Sequence, residues 1–139
     1  MAQRVRDVMT QPATTVPSDA DLTTVARLMR DQGIGAVAVT ADQHLKGLVT
    51  DRDLVVRGLA AGGHVESTAV GSLCSSELAT VKPDDELATA TRLMREHSVR
   101  RLPVVEGDQV VGILAIGDLA IERDDGSALS DISAAEPNT

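Results

Sequence analysis

A chain of 139 residues is enough for one compact domain with a real core. Its 42% hydrophobic and 24% charged residues are ordinary for a soluble globular protein, and the absence of any apolar run near about 18 residues excludes a membrane span. A formal net charge of −8 and the absence of Phe, Tyr and Trp argue against nucleic acid as the partner, because backbone binding rests on basic residues and single-strand binding on stacking rings.

Any base bound by such a chain lies against aliphatic side chains. Cys74 stands alone, so no intrachain disulfide and no multi-cysteine metal site can form. Residues 1–10 carry Arg4, Arg6 and Asp7 without an apolar core, unlike a signal peptide, and a reducing cytoplasm is expected.

In chain order, Val5–Thr10 reads as a short helix lying against the body, and Ala13–Val16 as a short strand broken by Pro17-Ser18. Ser18 and Asp21 form a cap signal for a helix whose apolar stripe is Leu22, Val25, Ala26 and Met29. Its opposite face carries Thr23, Thr24, Arg27 and Arg30, and Gly33 stops it. Ala36–Thr40 and Leu45–Val49 read as a hairpin around Ala41–His44. A helix through Leu54, Val55 and Leu59 closes the unit, and 60–64 connects it to the next.

The hairpin ends in Gly47-Leu48-Val49-Thr50-Asp51-Arg52-Asp53-Leu54, a strand that runs straight into a helix. Thr50 and Asp53 have the T-x-x-D spacing of a helix start, with a hydroxyl and a carboxylate beside free backbone N–H groups. The stretch returns as Gly112-Ile113-Leu114-Ala115-Ile116-Gly117-Asp118-Leu119, without the hydroxyl. The offset is 65 residues, and it also relates Val5 to Val70, Thr15-Val16 to Thr80-Val81, Leu22 to Leu87, Arg27–Arg30 to Arg92–Arg95 and Val39 to Val104. This ungapped repeat predicts two like halves related by a pseudo-two-fold axis, with repeats at 1–60 and 70–123, a linker at 61–69 and a polar tail at 124–139 that is expected to be mobile.

On these residues the chain resembles a tandem pair of CBS (cystathionine β-synthase) domains, a Bateman module. The resemblance rests on Val5–Thr10, Thr15-Val16-Pro17, Val99–Val105 and the two Gly-to-Asp-Leu stretches, and it covers roughly Val5 to Arg123. The arrangement is similar to that of stand-alone two-domain proteins of the actinobacterial hypoxic-response type. The resemblance implies an α+β fold of two β-α-β-β-α repeats and clefts that hold adenosine compounds: AMP, ADP, ATP, NAD or S-adenosylmethionine. It implies that Asp53 and Asp118 hold ribose hydroxyls, that Thr50 helps hold phosphate, and that backbone near Thr15-Val16 and Thr80-Val81 reads the base. Arg100 or Arg101 would meet phosphate. The chemistry is sound on its own terms, because a carboxylate can accept both hydrogens of a cis-diol and a helix start offers N–H groups to phosphate.

Each site is incomplete in a complementary way: Gly35-Ala36 stand where the arginines would be, and Ala115 replaces the hydroxyl. The expected protein is a non-enzymatic regulatory module that needs no cofactor and forms a homodimer through the faces Leu22/Val25/Met29 and Leu87/Ala90/Met94. An unidentified protein partner remains open, as does a purely structural or interaction module with vestigial clefts. A redox or metal sensor built on Cys74, His44, His64 and His97 is the minor reading, because metal-ligand spacing is absent.

Overall fold

The computed structural model describes residues 3–62, 64–74 and 79–123, with side chains to Leu119. In chain order the elements are α1 (Val5–Val8), β1 (Thr15–Pro17), α2 (Leu22–Gln32), β2 (Ala36–Ala41), β3 (His44–Thr50) and α3 (Asp51–Asp53). A π-helical segment (Leu54–Leu59) continues α3, and a 3-10 turn (Val70–Leu73) follows. The chain ends in α4 (Leu87–His97), β4 (Arg101–Glu106), β5 (Gln109–Ala115) and α5 (Ile116–Arg123), an α+β arrangement. The tail from residue 124 lies outside the described residues.

The described residues form two compact units, one within 14–74 and the other from 3–13 together with 79–123. In the N-terminal unit, β1 pairs parallel with β2 (Val16 opposite Val39) and β2 pairs antiparallel with β3 (Ala36 opposite Thr50). Pro17 lies inside β1, where the sequence reading ended the strand: it tolerates this edge position because it has no N–H to donate. The β2–β3 turn is Asp42-Gln43, both with positive φ (52° and 69°), the backbone that a tight two-residue hairpin requires.

The core of this unit is aliphatic, comprising Val16, Leu22, Val25, Met29, Val37, Val39, Val49, Leu54, Val70 and Leu73. The cap of α2 is Asp21, not a Ser18–Asp21 box: its carboxylate accepts the Thr24 N–H at 2.7 Å, while Ser18 continues the strand turn by donating its N–H to Thr40. That capping bond holds Asp21 below the ordinary carboxylate range. Gly33 ends α2 in the left-handed region (φ 65°), as its position predicts. Gly58 is buried in the π-helical segment; a Cβ there would sit 2.7 Å from Leu22 Cδ1, so a larger residue would oblige the Leu22 side chain to shift.

The C-terminal unit has the same plan with less sheet. β4 pairs antiparallel with β5, and Val81 adds a single parallel bridge to Val104. Its core is Val5, Val81, Leu87, Ala90, Met94, Leu102, Val104, Leu114 and Leu119. The first of these comes from the start of the chain. The N–H groups of Val5 and Arg6 donate to the carbonyls of Asp85 and Pro83 at 2.9 Å, the Arg6 guanidinium pairs with Asp84, and Thr10 bridges to Ile113. Gly112 makes room for this arm, since a Cβ there would meet Met9 Sδ and the Thr10 carbonyl at 2.8 Å. Val70, the repeat match of Val5, fills the core of the N-terminal unit in the same way. A cut near residue 62 therefore takes Val70 and Leu73 from one core and Val5 from the other.

The stripes Leu22/Val25/Met29 and Leu87/Ala90/Met94 are consumed inside the units, at 0–7% exposure, so they do not supply the exposed faces expected for self-association. Among the described residues, the large apolar side chains left outside are Val55, Val56, Leu59, Val99 and Ile116.

Val5 and Val70 are both fully buried, and truncating either to Ala should cost about 1–3 kcal/mol, read as a lower urea midpoint by circular dichroism. Hydrogen exchange should locate the damage: Val5→Ala should speed exchange in β4 and β5, and Val70→Ala in β1 to β3. The opposite pattern would place each arm in its own repeat.

Candidate functional site

The two Gly-to-Asp-Leu stretches build the same turn twice. In the N-terminal unit β3 ends at Thr50, whose hydroxyl oxygen accepts the Asp53 N–H at 3.1 Å, while Asp53 Oδ2 accepts the Thr50 N–H at 2.9 Å. This is a complete capping box. The Thr50 hydroxyl also donates to Asp53 Oδ2, at 3.0 Å, so both of its roles are taken by its own turn. The Asp51 N–H donates to the Gly35 carbonyl at 3.0 Å, which ties the turn to the start of β2.

In the C-terminal unit Asp118 Oδ2 accepts the Ala115 N–H at 2.8 Å, so the carboxylate caps α5 without a hydroxyl partner. The Ile116 N–H donates to the Arg100 carbonyl at 2.8 Å, and Arg101 lies opposite Ala115. Thus the structure brings Arg100, Arg101, Ala115 and Asp118 to one end of the β4–β5 ladder, and brings Gly35, Ala36, Thr50 and Asp53 to the matching end of β2–β3. Among the described residues, Oδ1 of each turn aspartate has no hydrogen-bond partner.

The remaining predicted residues fall elsewhere. Val16 and Val81 are core, at 5% and 1% exposure, and the Val81 N–H and C=O are already bonded to Pro103 and Val105 of β4. Thr15 is exposed on β1 opposite Ala38, two positions along β2 from the Thr50 partner Ala36. Thr80 lines a pocket of about 540 Å³ with Lys82, Pro83, Asp84, Asp85, Val105 and Glu106. Sequence reasoning missed Ile116, which stands where the first repeat has Asp51 and is 53% exposed. The only available signal was that mismatch between the repeats.

Burial pushes the Asp118 carboxyl above its ordinary value; the Ala115 N–H and the nearby Arg101 charge pull it partly back. Burial likewise pushes the half-buried Cys74 thiol up, which lowers its thiolate fraction and weakens the redox reading. No group of three or more His, Cys, Asp or Glu forms a metal-binding cluster among the described residues. No helix of the described residues is long and apolar enough to cross a membrane. A separate apolar groove of about 350 Å³ runs between α2 and the π-helical segment, lined by Leu22, Ala26, Arg27, Arg30, Val55 and Leu59.

A carboxyl whose folded pKa is raised stabilises most below its unfolded pKa, and that contribution is lost as pH rises through the folded value. Asp118→Asn keeps an oxygen for the Ala115 N–H and removes the half-buried charge. Its melting temperature should match or exceed that of the wild type at neutral pH, and the gap should narrow as pH falls into the carboxylate range. Thr50→Ala, by contrast, should cost about 0.5–2 kcal/mol of capping at neutral pH. Both are read by thermal denaturation followed by circular dichroism; a gap for Asp118→Asn that widened in acid would reverse the sign assigned to that carboxyl.

The CBS domain family model matches residues 5–58 and 70–124. The chain is 39% identical over 133 residues to the CBS domain-containing protein YhcV of Bacillus subtilis, across 93% of this chain and 94% of that one. It is 36% identical over 116 residues to Hypoxic response protein 1 of Mycobacterium tuberculosis, across 83% of this chain and 81% of that one. The crystal structure of Hypoxic Response Protein I, solved with two coordinated zinc ions, superposes with a TM-score of 0.77 at 35% identity, over 85% of this chain and 97% of that one. The CBS domain pair of protein MJ0100, in complex with 5′-methylthioadenosine and S-adenosylmethionine, superposes with a TM-score of 0.80 at 19% identity, over 91% of this chain and all of that one, a likeness of fold. The chain, with its paired repeats and duplicated capping turn, belongs to the CBS domain family.

Proposed function

We propose that the protein is a non-enzymatic regulatory module that binds an adenosine ligand at its turn aspartates and passes the occupancy on through shape or partner contacts. The observation that carries this reading is the duplicated turn: a carboxylate pinned through one oxygen to the strand-end N–H, with the other oxygen outside the cap. Such a carboxylate has lone pairs positioned for the hydroxyls of a cis-diol. The MJ0100 pair, which holds two adenosine compounds, supports the ligand class. AMP, ADP, ATP, NAD and S-adenosylmethionine form the test panel. The reading places the module in the cytoplasm, with no cofactor of its own.

A second reading has a specific observation behind it. The Thr50–Asp53 box is closed on itself by three hydrogen bonds, as a turn retained for capping alone would be. In that reading the protein is an interaction module. Either reading includes a homodimer, now assigned to the exposed Val55, Val56 and Leu59 beside the α2 groove. Light scattering should return twice the chain mass, and Leu59→Asp should return the monomer; a monomeric wild type at high concentration would remove the homodimer.

A ligand at a hundredfold excess over Kd stabilises the folded state by about 2.7 kcal/mol, or roughly 2–8 °C in melting temperature. At least one member of the panel should produce that shift, and the Asp53→Ala/Asp118→Ala double variant should abolish it. The comparison is between ligand-induced shifts, because lost caps lower the melting temperature of the variant itself. A shift that survives the double substitution would move the ligand elsewhere, and no shift with any member at millimolar concentration would leave the interaction module standing.

A further inference from the structure

We infer that the apolar groove between α2 and the π-helical segment is the docking site of the chain's own acidic tail, which seats Leu129 and Ile132 there and so shields Val55 and Leu59 from a second copy. The docking rests neither on adenosine binding nor on a stable dimer.

The groove has a buried floor, Leu22 and Leu54, and two exposed walls, Val55 and Leu59, at 56% and 62% exposure. Its volume of about 350 Å³ suits aliphatic side chains rather than a flat apolar contact. The charged side chains that line it are both cations, Arg27 and Arg30, and among the described residues no carboxylate lines it. Arg30 is paired with Asp31 at 2.9 Å, whereas Arg27 forms no ion pair among the described residues. Arg57 is exposed on the same segment, but its charge acts on Cys74 rather than lining the groove. The repeat does not duplicate this surface: Ala120 and Asp124 stand at the positions matching Val55 and Leu59, and Arg92, which matches Arg27, is paired with Glu96. Each chain therefore has a single groove of this kind to fill.

The tail has the complementary chemistry. Residues 124–139 carry Asp124, Asp125, Asp131 and Glu136 and no Lys, Arg or His. Within this acidic stretch Ala128, Leu129, Ile132 and Ala135 recur at the three-to-four-residue spacing with which an amphipathic segment fills an apolar groove. Leu129 and Ile132 lie six and nine residues beyond Arg123, the end of α5. Extended, that tether spans about 20–30 Å, against a radius of gyration of about 11 Å for a unit of this size. A tethered segment also competes at an effective concentration on the order of millimolar, which a second copy in dilute solution does not reach. The same chain's tail is therefore the favoured occupant, and a second copy must displace it to reach Val55 and Leu59.

Methyl-labelled full-length protein tests this, with Leu129→Ser/Ile132→Ser as the variant; both substitutions lie outside the two cores and add no charge. In the wild type, the Leu129 and Ile132 methyls should show nuclear Overhauser contacts to Val55 and Leu59, independent of concentration and absent between differently labelled chains. The variant should move the Val55, Leu59 and Val65 methyls and leave those of Leu102 and Leu114 in place. A synthetic peptide of residues 124–139 should bind the variant about tenfold or more tightly than the wild type, whose groove is filled. By sedimentation, the variant should self-associate more tightly than the wild type. Identical groove methyls and equal peptide affinity in the two proteins would overturn the docking. Val55 and Leu59 shifts that follow protein concentration and ignore the variant would give the groove to a second copy, and contacts found only between chains would give it to the partner's tail; either overturns the assignment. None of these readouts involves a nucleotide, so the adenosine reading stands or falls separately.

Discussion

Each unit turns on one hydrogen bond, from the N–H of the last strand residue to a carboxylate three residues further on. Thr50 donates to Asp53, and Ala115 donates to Asp118. A strand cannot run straight into a helix without leaving N–H groups exposed at the join, and an aspartate at this position satisfies one of them from within the turn. The bond also fixes the direction in which the carboxylate faces. Stability is therefore drawn from the side chain to which the proposed reading gives the ligand, and substitution there cannot separate the two unless the hydrogen-bond acceptor is retained.

Around these turns the cores are small and wholly aliphatic. Among the largest fully buried side chains are Leu102, Leu114 and a set of valines that includes Val5 and Val70. Valine suits this sheet-lined interior because its branched side chain is stiff and packs on a pleated surface. With no ring to fill volume, the supply of one residue from a distant arm matters more than it would in a larger core. Val5 is such a residue for the C-terminal unit, and the absence of a Cβ at Gly112 lets its arm lie close to β5.

The two turns differ at positions to which the proposed reading gives a role. The hydroxyl, the arginine pair and the first helical residue differ between the turns, while the capping carboxylate is present in both. In one turn a hydroxyl bonds the capping carboxylate, and in the other there is no hydroxyl and Arg101 lies opposite the strand-end residue. Chains that belong to the CBS family can thus share a fold while their two turns offer different chemistry, and the fold alone does not assign a ligand to either.

Much was legible in the amino-acid order because it depends on local periodicity. The 65-residue offset, the helical stripe of Leu22, Val25 and Met29, the stop at Gly33 and the T-x-x-D box all follow from spacing, and the structure has them where spacing puts them. Features that depend on distant atoms were not legible. Whether Asp21 caps alone or with Ser18 is decided by Thr40, which accepts the Ser18 N–H. The π-helical stretch Leu54–Leu59 is tied to the contact of Gly58 with Leu22. Which unit receives Val5 and which receives Val70 is a matter of long-range packing, on which a repeat is silent because its two copies have equal claims. Exposure followed the same rule: the stripe residues were used up inside each unit, and Val55, Leu59 and Ile116 were left outside because the helices they belong to turn those positions away from the cores.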